Sequence, residues 1–221
     1  MAEAAQPAGQ AVFLASKNPK KLEELERILA PLVPGIRVLG LNDVAPYPEP
    51  VEDQADFAGN ALLKARAGVA ATGLPSLADD SGLCVDALNG MPGVLSARWA
   101  GPASLVASGP DGAGTQDQRN NALLLAQLKD VPDHRRRAHF TCAVALCLPD
   151  GSEHVVEGRM DGRVIREVRG IGGFGYDVLF CADGHDVTTA ELTREEKDAI
   201  SHRGKALTKV APLVVAALSR R

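Results

Sequence analysis

The sequence predicts an α/β fold, a mixed twisted β-sheet flanked by helices, and three observations carry that expectation. Apolar runs of strand length alternate early in the chain with segments of helical periodicity, the pattern of strands joined by helices. Later, HFTCAVALCL and EHVVEGRM flank Pro149-Asp150-Gly151, a hairpin signal, so antiparallel strands join the sheet. At 221 residues, 45% hydrophobic and 24% charged, the chain has the balance of an ordinary soluble globular protein able to bury a sizeable core.

In order along the chain, residues 1–10 read as a flexible tail and 11–221 as a single domain. AVFLAS (11–16) is a buried strand, after which Leu22, Leu25, Ile28 and Leu29 recur at helical spacing. Asn18 suits the N-cap and Pro19 the first helical position, where its missing N–H costs nothing, so the helix begins there. A second helix is expected at 54–71, turning Phe57, Ala61, Ala65 and Val69 inward and stopping at Gly73. PSLADDSGLCVDAL suggests a short strand ending at a carboxylate pair, then an alternating strand through Leu83, Val85 and Ala87. Residues 101–116, rich in Gly, Ala, Ser and Pro, read as an exposed mobile loop before a helix at 117–129. YDVLF adds a strand, Thr193 and Glu196 form a capping box for a short helix, and Leu207, Val210, Val214 and Leu218 mark an amphipathic terminal helix entered through Ser201.

Composition removes several function classes. No apolar run reaches the roughly 18 to 20 residues of a membrane helix, and MAEAAQPAGQ lacks the basic start and apolar centre of a signal peptide, which points to the cytoplasm. Cys84, Cys142, Cys147 and Cys181 show no CxxC spacing and sit in apolar stretches, so they read as reduced buried thiols rather than zinc ligands. A net charge of −4 without a long basic block argues against a nucleic-acid surface.

Four segments can carry chemistry. Ser16, Lys17, Asn18, Pro19, Lys20 and Lys21 place hydroxyl, amide and ammonium groups where helix N–H groups favour an anion, although the same run would serve as a capped surface helix with solvated lysines. Asp79 and Asp80, followed by Ser81 and Gly82, offer hard oxygen ligands of the kind Mg²⁺ takes in ones and twos, with Glu52 or Asp53 able to supply another; an Asp-rich turn is the plainer alternative. Gly170 to Gly175 matches GxGxxG, but a strand follows where a dinucleotide site needs a helix, so we read a turn presenting Phe174 or Tyr176 for stacking on a base or for core packing. Ser201-His202-Arg203-Gly204 sets three hydrogen-bonding side chains at a helix start. Nothing matches GxxxxGK[ST], which excludes a P-loop hydrolase.

Taken together, SKNPKKLEEL, FAGNALLKA, ADDSGLCVDALNGMPGVLSARWAG, GGFGYDVLF and ELTREEKDAISHRGKAL resemble the inosine triphosphate pyrophosphatase family over nearly the whole chain. Its members are house-cleaning enzymes that cleave deaminated purine nucleotides such as ITP, dITP and XTP to the monophosphate and pyrophosphate. The resemblance implies an elongated two-lobed α/β structure with a central cleft, a homodimer, and Mg²⁺ as cofactor. It also implies that Ser16, Asn18 and Lys21 hold phosphates with Lys64, that Glu52 and Asp80 serve the metal, and that Asp80 accepts a proton with Asp79 as supporting acid. Ser81 would contact substrate, and Phe174, Gly175, Tyr176 and Asp177 would line the base with Lys197, His202 and Arg203. The chain departs from the family pattern at Val178, where proline is expected, at Met160 and Asp161, where Trp-Pro is common, and in the longer loop 101–116. A related pyrophosphatase for other modified nucleotides is disfavoured by GGFGYD and SHRG, and a non-catalytic nucleotide sensor would not need Glu52, Asp79 and Asp80.

Overall fold

The computed structural model describes residues 10–102 and 114–219. Residues 1–9 of the expected N-terminal tail and 103–113 of the expected loop at 101–116 lie outside the described residues. Six strands form one sheet there in the order β2-β1-β3-β4-β5-β6: β1 Ala11–Leu14, β2 Arg37–Leu39, β3 Ser76–Val85, β4 Arg137–Cys147, β5 Glu153–Val164 and β6 Phe180–Ala182. β1 runs parallel to both β2 and β3, whereas β5 and β6 are antiparallel, so the sheet is mixed. The helices are α1 Pro19–Leu29, α2 Phe57–Thr72, α3 Gln116–Gln127, α4 Arg194–Ile200 and α5 His202–Leu218. None is long and apolar enough to cross a membrane.

The chain divides into two compact units. The first takes the residues up to Asp80, Ala143–Glu157, and those from Ala206 onward; the second takes Ser81–Cys142 and Gly158–Lys205. In the first unit the core is built from Val12, Phe13 and Leu14 of β1, Leu25 and Leu29 of α1, Ala61 and Ala65 of α2, Leu77 of β3, and Leu207, Val210 and Val214 of α5, all essentially inaccessible. Their removal from water stabilises the unit by about 1.5–3 kcal/mol for each large side chain. α1 begins where its cap predicts: Asn18 Oδ1 accepts from Lys20 N at 3.0 Å and Pro19 opens the helix. α2 starts at Asp56, whose Oδ1 accepts from Gly59 N at 2.7 Å, and stops at Gly73 in the left-handed conformation. The β4–β5 turn closes through Gly151 N to Leu148 O at 3.0 Å, with Asp150 Oδ1 accepting from Ser152 N.

The second unit packs Leu83, Val85, Leu124, Leu128, Phe140, Met160, Val164, Tyr176, Leu179 and Phe180 into its own core. Thr115 and Gln118 form the capping box of α3, and Thr193 and Glu196 that of α4. Ser201 Oγ accepts from Gly204 N at 2.9 Å as α5 begins. α5 contains Pro212, which forfeits one helical bond without ending the helix, because Val210, Ala211 and Val214 around it are buried.

Three expectations need correction. The acids do not end a short strand: β3 runs unbroken from Ser76 to Val85 through Asp79 and Asp80, because both carboxylates find hydrogen-bonding partners beside the sheet. YDVLF is only partly a strand; Asp177–Leu179 form one turn of 3₁₀ helix before β6. β2 was not foreseen, since three residues with one exposed arginine carry no usable period. The departures from the family pattern are absorbed by packing: Met160 is buried, Val178 packs on the second core, and Asp161 pairs with Arg159.

Gly82 tests the second unit. A Cβ there would collide with Ser96 Oγ and lie 2.5 Å from Gly93 O. Gly82→Ala is expected to lower stability by about 1–3 kcal/mol through this overpacking, measured as a reduced urea midpoint; an unchanged midpoint would contradict the packing described.

Candidate active site

The first unit gathers charged groups around the middle of β3. Asp79 is 6% exposed, and a buried carboxylate is costly unless it is paired. Lys21, one turn into α1, answers it by donating to Asp79 Oδ2 at 2.7 Å. On α2, Lys64 Nζ reaches Glu52 Oε1 at 2.6 Å, the Asp79 carbonyl at 2.7 Å and Asp80 Oδ1 at 3.8 Å. Asn60, one helical turn before Lys64, donates from Nδ2 to Asp80 Oδ2 at 2.9 Å. Lys21 and Lys64 thus each meet carboxylate oxygens in this group.

Glu52 and Asp80 come from different segments yet converge on one point, Lys64 Nζ. Both are hard oxygen donors, and Mg²⁺ commonly takes only one or two carboxylates while keeping waters and phosphate oxygens. The donor set therefore fits a divalent cation. Ahead of α1, Ser16 Oγ accepts from Asn18 N at 3.1 Å, so hydroxyl and amide shape the turn at the helix start. Lys17 pairs with Glu49, while Pro19 and Lys20 are exposed. Ser81, next to Asp80 in β3, is exposed as well.

The second unit builds a different set around the glycine-rich turn. Asp177, 4% exposed, accepts from Phe174 N at 2.8 Å and Lys197 Nζ through Oδ2, and from Thr189 Oγ1 at 2.8 Å through Oδ1. Gly173 packs so closely on this carboxylate that any side chain would collide with it. Phe174 is left 76% exposed, with Lys197 Nζ 5.2 Å from its ring centroid, a cation–π contact. Gly175 is held at both backbone groups: its N–H donates to Asp117 Oδ2 at 2.7 Å and its carbonyl accepts from Asn121 Nδ2 at 2.9 Å. His202 stacks on Phe140 at 4.9 Å, and Arg203 is half-buried beside it in the chain.

Tyr176 does not share the exposure of Phe174. It is 4% exposed in the second core and its hydroxyl donates to Ser96 O at 2.9 Å, with burial raising its pKa. Of the two aromatic residues considered for stacking, only Phe174 can offer a face. Asp177 is likewise committed to its own turn.

Asn60, Asp117, Asn121 and Thr189 were not singled out from the sequence. Asn60 could have been found, because it lies four residues before Lys64 and so shares its helix face. Asp117 and Asn121 meet Gly175 from more than 50 residues away, and no local pattern announces that pairing.

Residues 12–213 match the Ham1 family. Over 210 residues the chain is 57% identical to the dITP/XTP pyrophosphatase of Nocardia farcinica, covering 95% of this chain and 97% of that protein. The crystal structure of a nucleoside-triphosphatase / dITP/XTP pyrophosphatase from Mycobacterium abscessus aligns at TM-score 0.75 and 52% identity, covering 92% of this chain and all of that one. A HAM1 protein from Coxiella burnetii aligns at TM-score 0.81 and 37% identity over 94% of this chain and 100% of its own.

Asp177 is the junction of the glycine-rich turn. Asp177→Ala would strip partners from Thr189, Phe174 N and Lys197, and is expected to cost about 1–3 kcal/mol of stability. Urea denaturation of the variant checks this; a parental midpoint would show that the turn stands without its carboxylate.

Proposed function

The chain belongs to the Ham1 family, and from that membership we infer that it hydrolyses deaminated purine nucleoside triphosphates, dITP, XTP and ITP, to the monophosphate and pyrophosphate. The observation that carries this reading is the convergence of Glu52 and Asp80 on Lys64 beside the Lys21–Asp79 pair. A nucleoside triphosphate has two ends of different chemistry, a charged phosphate chain and a flat purine.

At the phosphate end, Lys21 and Lys64 neutralise charge on the departing pyrophosphate, while Ser16, Lys17, Asn18, Pro19 and Lys20 form the start of α1, whose positive dipole end and lysine ammonium groups favour phosphate oxygens. Asp80 orients the attacking water and takes its proton, and Asp79 keeps Lys21 in place. Glu52 and Asp80 would hold Mg²⁺, which when bound supplies positive charge to the phosphate oxygens. Ser81 follows Asp80 as a substrate contact. Positioning and electrostatics supply most of the catalysis in such a reaction.

At the base end, Phe174 stacks on the purine, with Gly175, Tyr176 and Asp177 shaping the turn that carries it and Lys197 at its ring. His202 and Arg203 present donors to a 6-oxo group. Adenine offers an amino donor there, and donor facing donor leaves both unmet. Guanine shares the 6-oxo group, so its rejection rests on the 2-amino group. A homodimer in the cytoplasm, with residues 11–221 as one catalytic domain, completes the reading on the family resemblance.

Pyrophosphate release from ITP, XTP, dITP, GTP and ATP, with and without Mg²⁺, tests the proposal. We expect release only with the divalent metal and kcat/KM for ITP and XTP at least about a hundredfold above GTP and ATP, one or two mismatches at about 1–3 kcal/mol each. Orthophosphate as the product, or equal values across ITP, GTP and ATP, would refute it. Arg203→Ala should narrow the preference over adenine, seen as a smaller ratio of kcat/KM for ITP to that for ATP.

Asp80→Asn keeps the side chain's shape and loses its charge. Turnover of the folded variant should fall by at least roughly 10²-fold, the lower end for a general base; near-parental turnover with Mg²⁺ would remove Asp80 from both its roles.

A further inference from the structure

We propose that Asn60 is a positioning residue for this reaction, its buried carboxamide holding the Asp80 carboxylate and tying it to the segment that carries Glu52. The inference rests on the proposed function and deepens it at the phosphate end. Asn60 is fully buried on α2, and both ends of its amide are used. Oδ1 accepts from the backbone N–H of Gln54 at 3.0 Å, and Nδ2 donates to Asp80 Oδ2 at 2.9 Å.

The direction of these bonds is not interchangeable. A backbone N–H can only donate, so Gln54 fixes the carbonyl end of the amide and turns the NH₂ end to Asp80. Asp80 therefore meets a donor set in place by a bond that does not involve Asp80. Gln54 lies two residues after Glu52, whose carboxylate Lys64 grips from the same face of α2. Asn60 and Lys64 together face both oxygens of the Asp80 carboxylate, Asn60 at Oδ2 and Lys64 near Oδ1. Lys64 is charged and partly exposed, so a triphosphate can compete for it. Asn60 is neutral and inaccessible, and its grip persists whichever partners Lys64 takes.

Asn60→Asp keeps the size of the side chain and its acceptance from Gln54 N, but sets an oxygen against Asp80 Oδ2. Combining it with Asp80→Asn restores a donor–acceptor pair with the direction reversed. For the folded Asn60→Asp variant we expect kcat on ITP to fall at least about tenfold with KM changed less than about threefold, because the lysines and the base turn are untouched. In the Asp80→Asn background the same substitution should change kcat by less than about threefold, since a residue acting through Asp80 has nothing left to position. The double variant should melt above Asn60→Asp alone. Should Asn60→Asp not fold, Asn60→Ser, which drops both contacts without adding charge, is read in the same two backgrounds. Parental kcat in the folded variant, or an equal fold loss with and without Asp80→Asn, overturns the role. A parent chain that releases no pyrophosphate overturns the proposed function instead. The melting comparison needs no nucleotide, and a double variant no more stable than Asn60→Asp overturns the contact itself.

Discussion

Two adjacent acids in the middle of a sheet strand are the constraint on which the rest of the first unit depends. Successive side chains leave a strand on opposite faces, so Asp79 and Asp80 cannot share one partner in the ordinary way. Lys21 of α1 answers Asp79, and Asn60 with Lys64 of α2 answers Asp80. Each of the two helices is thus fixed to β3 by a polar contact as well as by its apolar face. Apolar residues at those two positions would give a more comfortable strand. Keeping carboxylates there makes sense where their charge is used.

The base-side turn solves a different problem by similar means. A run of glycines contributes no side chains with which to anchor itself, so its shape must be imposed from outside. Asp177 takes Phe174 N, Lys197 and Thr189, while Asp117 and Asn121 take the two backbone groups of Gly175. The exposed Phe174 ring therefore stands on backbone held from both sides. An aromatic platform with few rotamers on a pinned turn would lose little entropy if, as proposed, a base stacks on it.

How far the sequence reveals this depends on whether the signal is local. The start of α1 was legible because Asn18 and Pro19 act within one turn, and the same holds for the Thr193–Glu196 box and the hairpin at Pro149–Gly151. Most of the candidate site residues stood in recognisable motifs for the same reason. The unbroken β3 was not legible, since an acid pair reads as a strand end unless the distant Lys21 and the α2 side chains are known to compensate it. Phe174 and Tyr176 are two residues apart in one motif, and only the packing of Tyr176 against the second core separates their roles. The clamps from Asp117 and Asn121 depend on tertiary contact alone.

On the proposed function, Lys64 would make the phosphate end both stable without substrate and responsive to it. Its ammonium offsets Glu52 and approaches Asp80, so these carboxylates do not simply repel one another. Its bond to the Asp79 carbonyl is of another kind, because a backbone oxygen stays in the sheet whatever the carboxylates engage. If Glu52 and Asp80 turn to another positive charge, Lys64 keeps that anchor and can direct its remaining protons to phosphate oxygens. Lys21 is held more simply, by one carboxylate beneath it. A lysine fixed in advance gives up some ground-state attraction, since part of its charge is already answered. In the proposed reaction it would spend less ordering entropy on the leaving group, and interactions that strengthen as charge develops raise turnover rather than affinity. In the proposed reaction the two residues of α2 would part ways: Lys64 would change partners, whereas Asn60, sealed in the core, would keep its own.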